Sequence, residues 1–265
     1  MRVTINLLDS ARYSEPTGRR LRTVLAQAAQ SAAWLHFDQG RQASAQRHWR
    51  TALHSAHSAD ARDLGAGVLS DLAYSATWLG HPGEAVEILS HARTRTRHAT
   101  ARSLLDVRRA RALAVLRDDV GTARALNDAE HQLERGSVQS APPWVSWMSS
   151  ADLAVDAGRC WLDLEDPRRA TAALDEGLSL LAPERERTRA IMLTYRAHAA
   201  LAGRDVDAAV ADTRTALDTA LGTGASRCLG LVRSTLWDSF EPHRGETAVQ
   251  DLRSYAQQRL TPVRV

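Results

Sequence analysis

Small and large apolar residues recur along this chain in a fixed order, separated by short polar stretches. Between Ser31 and Leu53 the order is a small-residue run, then Gly40, Ala45, Trp49 and the pair Ala52-Leu53. The same order returns at Gly80, Ala85, Leu89 and Ala92, each 40 positions further on. A looser third copy aligns Ala123 with Ala85, an offset of 38, and carries Asp118-Asp119 where the turn glycine stood. A fourth brings Ala170, Leu174 and Gly177-Leu178 after an offset of 47, and a fifth brings Ala209, Thr213 and Ala216-Leu217 after 39. Inside each copy the apolar positions step by three and four, the period of an α-helix. Each copy therefore predicts a helix, a short turn and a second helix. The small residue lets the two helices cross closely, and the large residue four positions on fills the gap to the next pair. Gly40 and Gly80 supply left-handed C-caps, while Asp38, Asp118 and Asp205 suit the caps of the second helices.

Breaks in the pattern are few. Residues 1–20 read as a leading segment, and residues 21–265 as one helical-repeat domain. Gly136–Pro143 is a Ser/Pro/Gly loop that accounts for the long fourth offset, and Leu221–Ala225 is a second break. Thr247–Arg259 is polar on most faces, as a terminal cap of a repeat array should be. The expected fold is all-α: a right-handed solenoid of about five helix pairs plus a capping helix.

Composition supports this. Ala fills 46 of 265 positions and aromatics only 5%, a core of methyl groups suited to close-packed helices. Gly and Pro, 15 and 8, are too few for a β-sandwich with a turn every ten residues. No run approaches the ~18–20 apolar residues of a membrane span. The N-terminus has no signal-peptide apolar region, so a cytoplasmic location is expected. All 34 basic residues are Arg, and the formal net charge is only +3. The Arg clusters are interleaved with acids, unlike the one-signed stripe of a nucleic-acid surface.

The repeat resembles the tetratricopeptide repeat on Ala33/Gly40/Ala45/Trp49/Ala52 and Ala73/Gly80/Ala85/Leu89/Ala92. Its period of 38–47 is longer than that family's 34, and the closing proline is missing from the first two units. Strings such as LLDSARYSEPTGRRL, AQAAQSAAWLHFDQGRQASAQRHWRTALHSAH, LSDLAYSATWLGHPGEAV and PPWVSWMSSADLAVDAGRCWLDL extend the likeness. They resemble the C-terminal helical-repeat region of actinobacterial, Streptomyces-type, helix-turn-helix transcriptional regulators. The resemblance implies a regulatory role, in transcription or specialised metabolism. The chain starts where that repeat region would start, so the DNA-reading domain is expected to be absent.

No nucleophile elbow, phosphate loop, dinucleotide fingerprint or zinc-protease string occurs, and no enzymatic activity is expected. His54, His57 and Asp60 have ligand spacing on one helix, but read as an exposed polar face. Cys160 and Cys228 read as buried thiols. No metal or cofactor is expected. The informative pattern lies on the first helices of the pairs. Helical steps bring Gln30, Trp34, Phe37 and Asp38 onto one face, and Tyr74, Thr77 and Trp78 onto the next. Arg108, Asp152 and Arg159 continue it in later units, and Trp147, with Trp144, stands ready as a lid after the Pro loop. Two readings stay open. Either these rings are inter-helix packing, or they wall a groove for a small molecule or a peptide or protein segment. The expected partners are that ligand and, in a homodimer, a second copy of the chain. Specific DNA binding by this chain alone and membrane insertion are not expected. The alternative functions are a protein–protein adaptor or, less favoured, an enzyme or enzyme accessory in natural-product biosynthesis.

Overall fold

The computed structural model describes residues 13–136, 141–224 and 226–260. Among them the chain is all-α, with twelve α-helices and no strand. Five consecutive pairs are α1 (Glu15–Asp38) with α2 (Gln42–Ser58), α3 (Arg62–Trp78) with α4 (Pro82–Arg93), and α5 (Ala99–Val115) with α6 (Asp119–Arg135), followed by α7 (Ser150–Asp163) with α8 (Pro167–Leu180) and α9 (Glu186–Ala202) with α10 (Val206–Thr223). After them come α11 (Ser226–Ser234), a π-helical turn at Thr235–Ser239, a short 3-10 turn and α12 (Thr247–Leu260). Helix α1 begins at Glu15, inside the stretch read from sequence as a leading segment. The contacts divide the chain into two compact units that meet at Ser149/Ser150.

The pairs are made as the sequence pattern requires. Ala45, Ala85, Ala170 and Ala209 have no solvent exposure, so a methyl group is all that fits where each second helix crosses its partner. The third pair differs from its expected register. Ala123 is exposed and Thr122 is fully buried, so Thr122 takes the crossing position and the offset from Ala85 is 37. The backbone confirms the shift. In each pair one residue between the helices has a left-handed conformation: Gly40 (φ 74°), Gly80 (83°), Arg117 (61°), Glu165 (62°) and Arg204 (63°). Arg117 lies 37 positions after Gly80, and in three of the five turns a residue other than glycine holds the left-handed conformation. Second-helix caps are also partly as expected. Asp118 and Asp205 accept from Gly121 N and Ala208 N at 2.8 and 3.0 Å, and Asp166 does the same for Arg169 N. Asp38, by contrast, is the last residue of α1, and α2 starts after Arg41 with no side-chain cap.

In the first unit, Ala29, Ala33, Phe37, Trp49 and Val68 form one core cluster, and Ala73, Leu89, Leu105 and Ala112 form another. In the second unit the largest cluster gathers Leu217, Leu236, Phe240 and Leu252 under the π-helical turn and α12. Among the described residues no helix is long and apolar enough to cross a membrane.

Candidate functional site

Helices α1, α3 and α5 of the first unit are joined through one carboxylate. Asp71 lies on the face of α3 that also carries Asp63, Gly67, Tyr74 and Trp78, because these positions follow helical steps of three and four. Its Oδ2 accepts from Gln30 Nε2 at 2.7 Å and from Trp34 Nε1 at 3.0 Å, both on α1. Its Oδ1 accepts from Arg108 on α5 at 2.8 Å, and the same guanidinium donates to Ser70 Oγ at 2.8 Å. Both members of the Asp71–Arg108 pair are buried. Removing one partner of such a pair typically costs about 3–5 kcal/mol, since the remaining charge is left in low dielectric.

The rings gather beside this network. Trp34 meets Phe37, Trp49 and Tyr74 at centroid distances of 5.5–5.6 Å, and Phe37 meets Trp49, Tyr74 and Trp78 at 5.7–5.9 Å. Most of these contacts are edge-to-face, the arrangement that aligns ring edge with ring face. At such distances the rings fill the space between themselves. The Arg108 guanidinium lies 5.3 Å from the Tyr74 ring and 5.8 Å from that of Trp34. Phe37 and Trp49 are buried, Trp34 and Tyr74 are half-buried, and Trp78 is 39% exposed. Asp38 and Thr77 are half-buried at the same end, with the Thr77 hydroxyl donating to Ala73 O.

Trp144 closes the opposite end of the face. Its Nε1 donates to Asp63 Oδ2 at 2.9 Å, and a Cβ built on Gly67 would lie 2.6 Å from its ring. Gly67 is therefore the residue that lets the ring lie against α3. Thr96 donates to the other oxygen of Asp63. Trp144 is thus a loop anchor, while Trp147 donates from Nε1 to Trp144 O and is 47% exposed.

The structure thus brings Gln30, Trp34, Phe37, Tyr74, Trp78 and Arg108 into one connected set, with Asp38 and Thr77 at its edge. Asp152 and Arg159 belong to the second unit and are engaged there. Asp152 is held by both terminal nitrogens of Arg185 at 2.7 Å, which also raises the pKa of that guanidinium. Arg159 donates to Asp163 at 3.0 Å and lies over the Tyr195 ring. Asp71 and Asp63 were not anticipated. Their signal was a pair of carboxylates on the small-residue stripe of α3, where a charge must find a buried partner.

Two other groups bear on catalysis. His198 Nε2 lies 2.8 Å from Thr235 Oγ1 and 3.3 Å from Ser239 Oγ, in the second unit. Burial, with Arg159 nearby, lowers its pKa to about 4, against a smaller opposing effect of Asp163. Thr235 already donates to Leu231 O, so its oxygen accepts from the ring, and His198 is a core histidine with its donor satisfied. His54, His57 and Asp60 are all exposed, and among the described residues no group of three or more His, Cys, Asp or Glu is placed to hold a metal ion. Cys160 and Cys228 are buried. No protein-family model and no curated protein matches the chain.

Proposed function

We propose that the chain is a non-catalytic, tetratricopeptide-like regulatory protein that takes up a peptide segment of a partner on the α1–α3–α5 face of its first unit. Five helix pairs with small residues at their crossings support the repeat architecture. The likeness of the sequence to the repeat region of helix-turn-helix regulators supports the regulatory role. The observation that carries the reading is Trp78, a large apolar ring left 39% exposed at the open edge of a cluster that is otherwise locked. Val115, which takes the Trp78 position in α5 at the corrected offset, is 40% exposed, and Leu116 beside it is 50% exposed. A row of exposed apolar groups on the first helices of successive pairs suits the side chains of a peptide better than a small polar ligand. The charge of Arg108 is already matched by Asp71, so it does not call for an anion. Rings that fill their own space favour an open surface over a closed sensor cavity.

Display of a random peptide library on the purified protein tests this. Selected peptides should share apolar residues and bind Trp78→Ala at least about tenfold more weakly, with Tyr74→Phe less affected because it loses only a hydroxyl. Peptides that bind Trp78→Ala as well as the parent protein would overturn the assignment of this face.

A further inference from the structure

A second site lies elsewhere on the first unit and shares no residue with the face just described. A cleft of about 330 Å³ opens where the end of α2, the start of α3 and the end of α4 meet. That is at the lower end of the ~300–1,000 Å³ range of small-molecule sites. Its floor is apolar, formed by Leu53, Ala56 and Leu69, and includes the backbone of Gly65. Its rim carries His57, Asp60, Arg62, His91 and Arg95, so two guanidiniums stand against one carboxylate, that of Asp60, which points largely to solvent.

Two features of this cleft are not explained by packing. The first is Gly65. A glycine inside a helix is unfavourable relative to alanine, and at Gly67 the cause is plain, since Trp144 occupies the space of a side chain. A Cβ on Gly65 would meet nothing within 4 Å, so the missing side chain leaves open volume over an apolar floor. The second is Arg95. Its Nε and one terminal nitrogen lie 3.3 and 3.2 Å from His91 Nε2, which steadies the guanidinium. It makes no ion pair among the described residues. Among the described residues Arg62 pairs with Asp60, 3.6 Å away, and both side chains are more than 70% exposed, so that pair is weak. The field at the start of α3 has the same sign as the two guanidiniums.

An unmatched cation held at the mouth of an apolar cleft calls for a ligand with two ends. We propose that this cleft binds a small amphipathic organic anion, its apolar body on Leu53, Leu69 and Gly65 and its anionic head on Arg95, with His57 as a further hydrogen-bond partner. Burial of the body supplies affinity, and the charge-assisted bond to Arg95 fixes orientation.

Anilinonaphthalene sulfonate has this shape, and its fluorescence reports binding. Titration of the full chain should show one site. Affinity should fall at least about tenfold in Arg95→Gln and in Gly65→Leu, and stay unchanged in Trp78→Ala. The neutral analogue phenylnaphthylamine should bind more weakly, and Arg95→Gln should leave its binding as it was. Circular dichroism of each variant checks folding, and Arg95→Gln, a change at an exposed position, decides the matter if Gly65→Leu does not fold. Dye binding that survives both cleft variants, or that is lost in Trp78→Ala, would overturn the proposal. The second result would move the dye to the aromatic face without touching the peptide reading.

Discussion

His198 shows what a single desolvated residue does to this molecule. In the unfolded chain its imidazole takes a proton near the ordinary value of about 6.5, whereas in the folded chain it does so only near 4. Between those values the unfolded state binds more protons, so stability falls as pH falls from about 6.5 to about 4. The loss is up to about 3 kcal/mol, an upper bound because part of the ring remains exposed. His198→Gln keeps a donor toward Thr235 and removes the titration. Urea melts at pH 7 and 4.5 should show the parent protein losing more stability on acidification than the variant; parallel losses would mean that the ring is hydrated. Nothing in the local sequence announces this histidine, because its burial depends on the π-helical turn 37 residues away. The same holds for Asp71. The sequence shows rings and Arg108 at helical spacing, but the carboxylate that joins them becomes meaningful only when three helices are side by side. The rings were therefore legible and their electrostatic partner was not.

At the scale of the helix pair, the crossing residue is the most exacting position. Ala85→Trp should overpack the α3–α4 crossing and cost about 1–3 kcal/mol or more. Ala123→Trp, on the exposed side of α6, should stay within about 0.5 kcal/mol of the parent protein. Thermal melts of the two variants side by side test the corrected register directly, since the uncorrected one predicts damage at Ala123. The misreading has a physical cause. Turn glycines mark the register in the first two pairs, but in the later three Arg117, Glu165 and Arg204 adopt the left-handed conformation instead. A turn defined by backbone angle rather than by residue type leaves no fixed letter to align. Helix existence and the methyl-sized crossings were visible from periodicity; the phase of the third pair was not.

For the molecule as a whole, charge is the quantity that decides among partner classes. With a formal net charge of +3 and many of its Arg side chains paired with Asp or Glu, the chain should bind duplex DNA only weakly. Gel shifts with random and genomic fragments should show binding that is insensitive to sequence and collapses as salt rises. A salt-tolerant, sequence-specific shift by this chain alone would reveal a recognition element that the helix pairs do not show.

The anchoring of Trp144 has a consequence for how the first unit comes apart. Arrays of helix pairs in which each touches only its neighbours melt from the ends, one pair at a time. Trp144 bonds Asp63 across 81 positions of sequence, reaching past the third pair to the second. The third pair therefore cannot peel away from the end of the unit while that ring stays seated. Closing so long a loop is slow to achieve, but once made it ties the second and third pairs into a single cooperative transition.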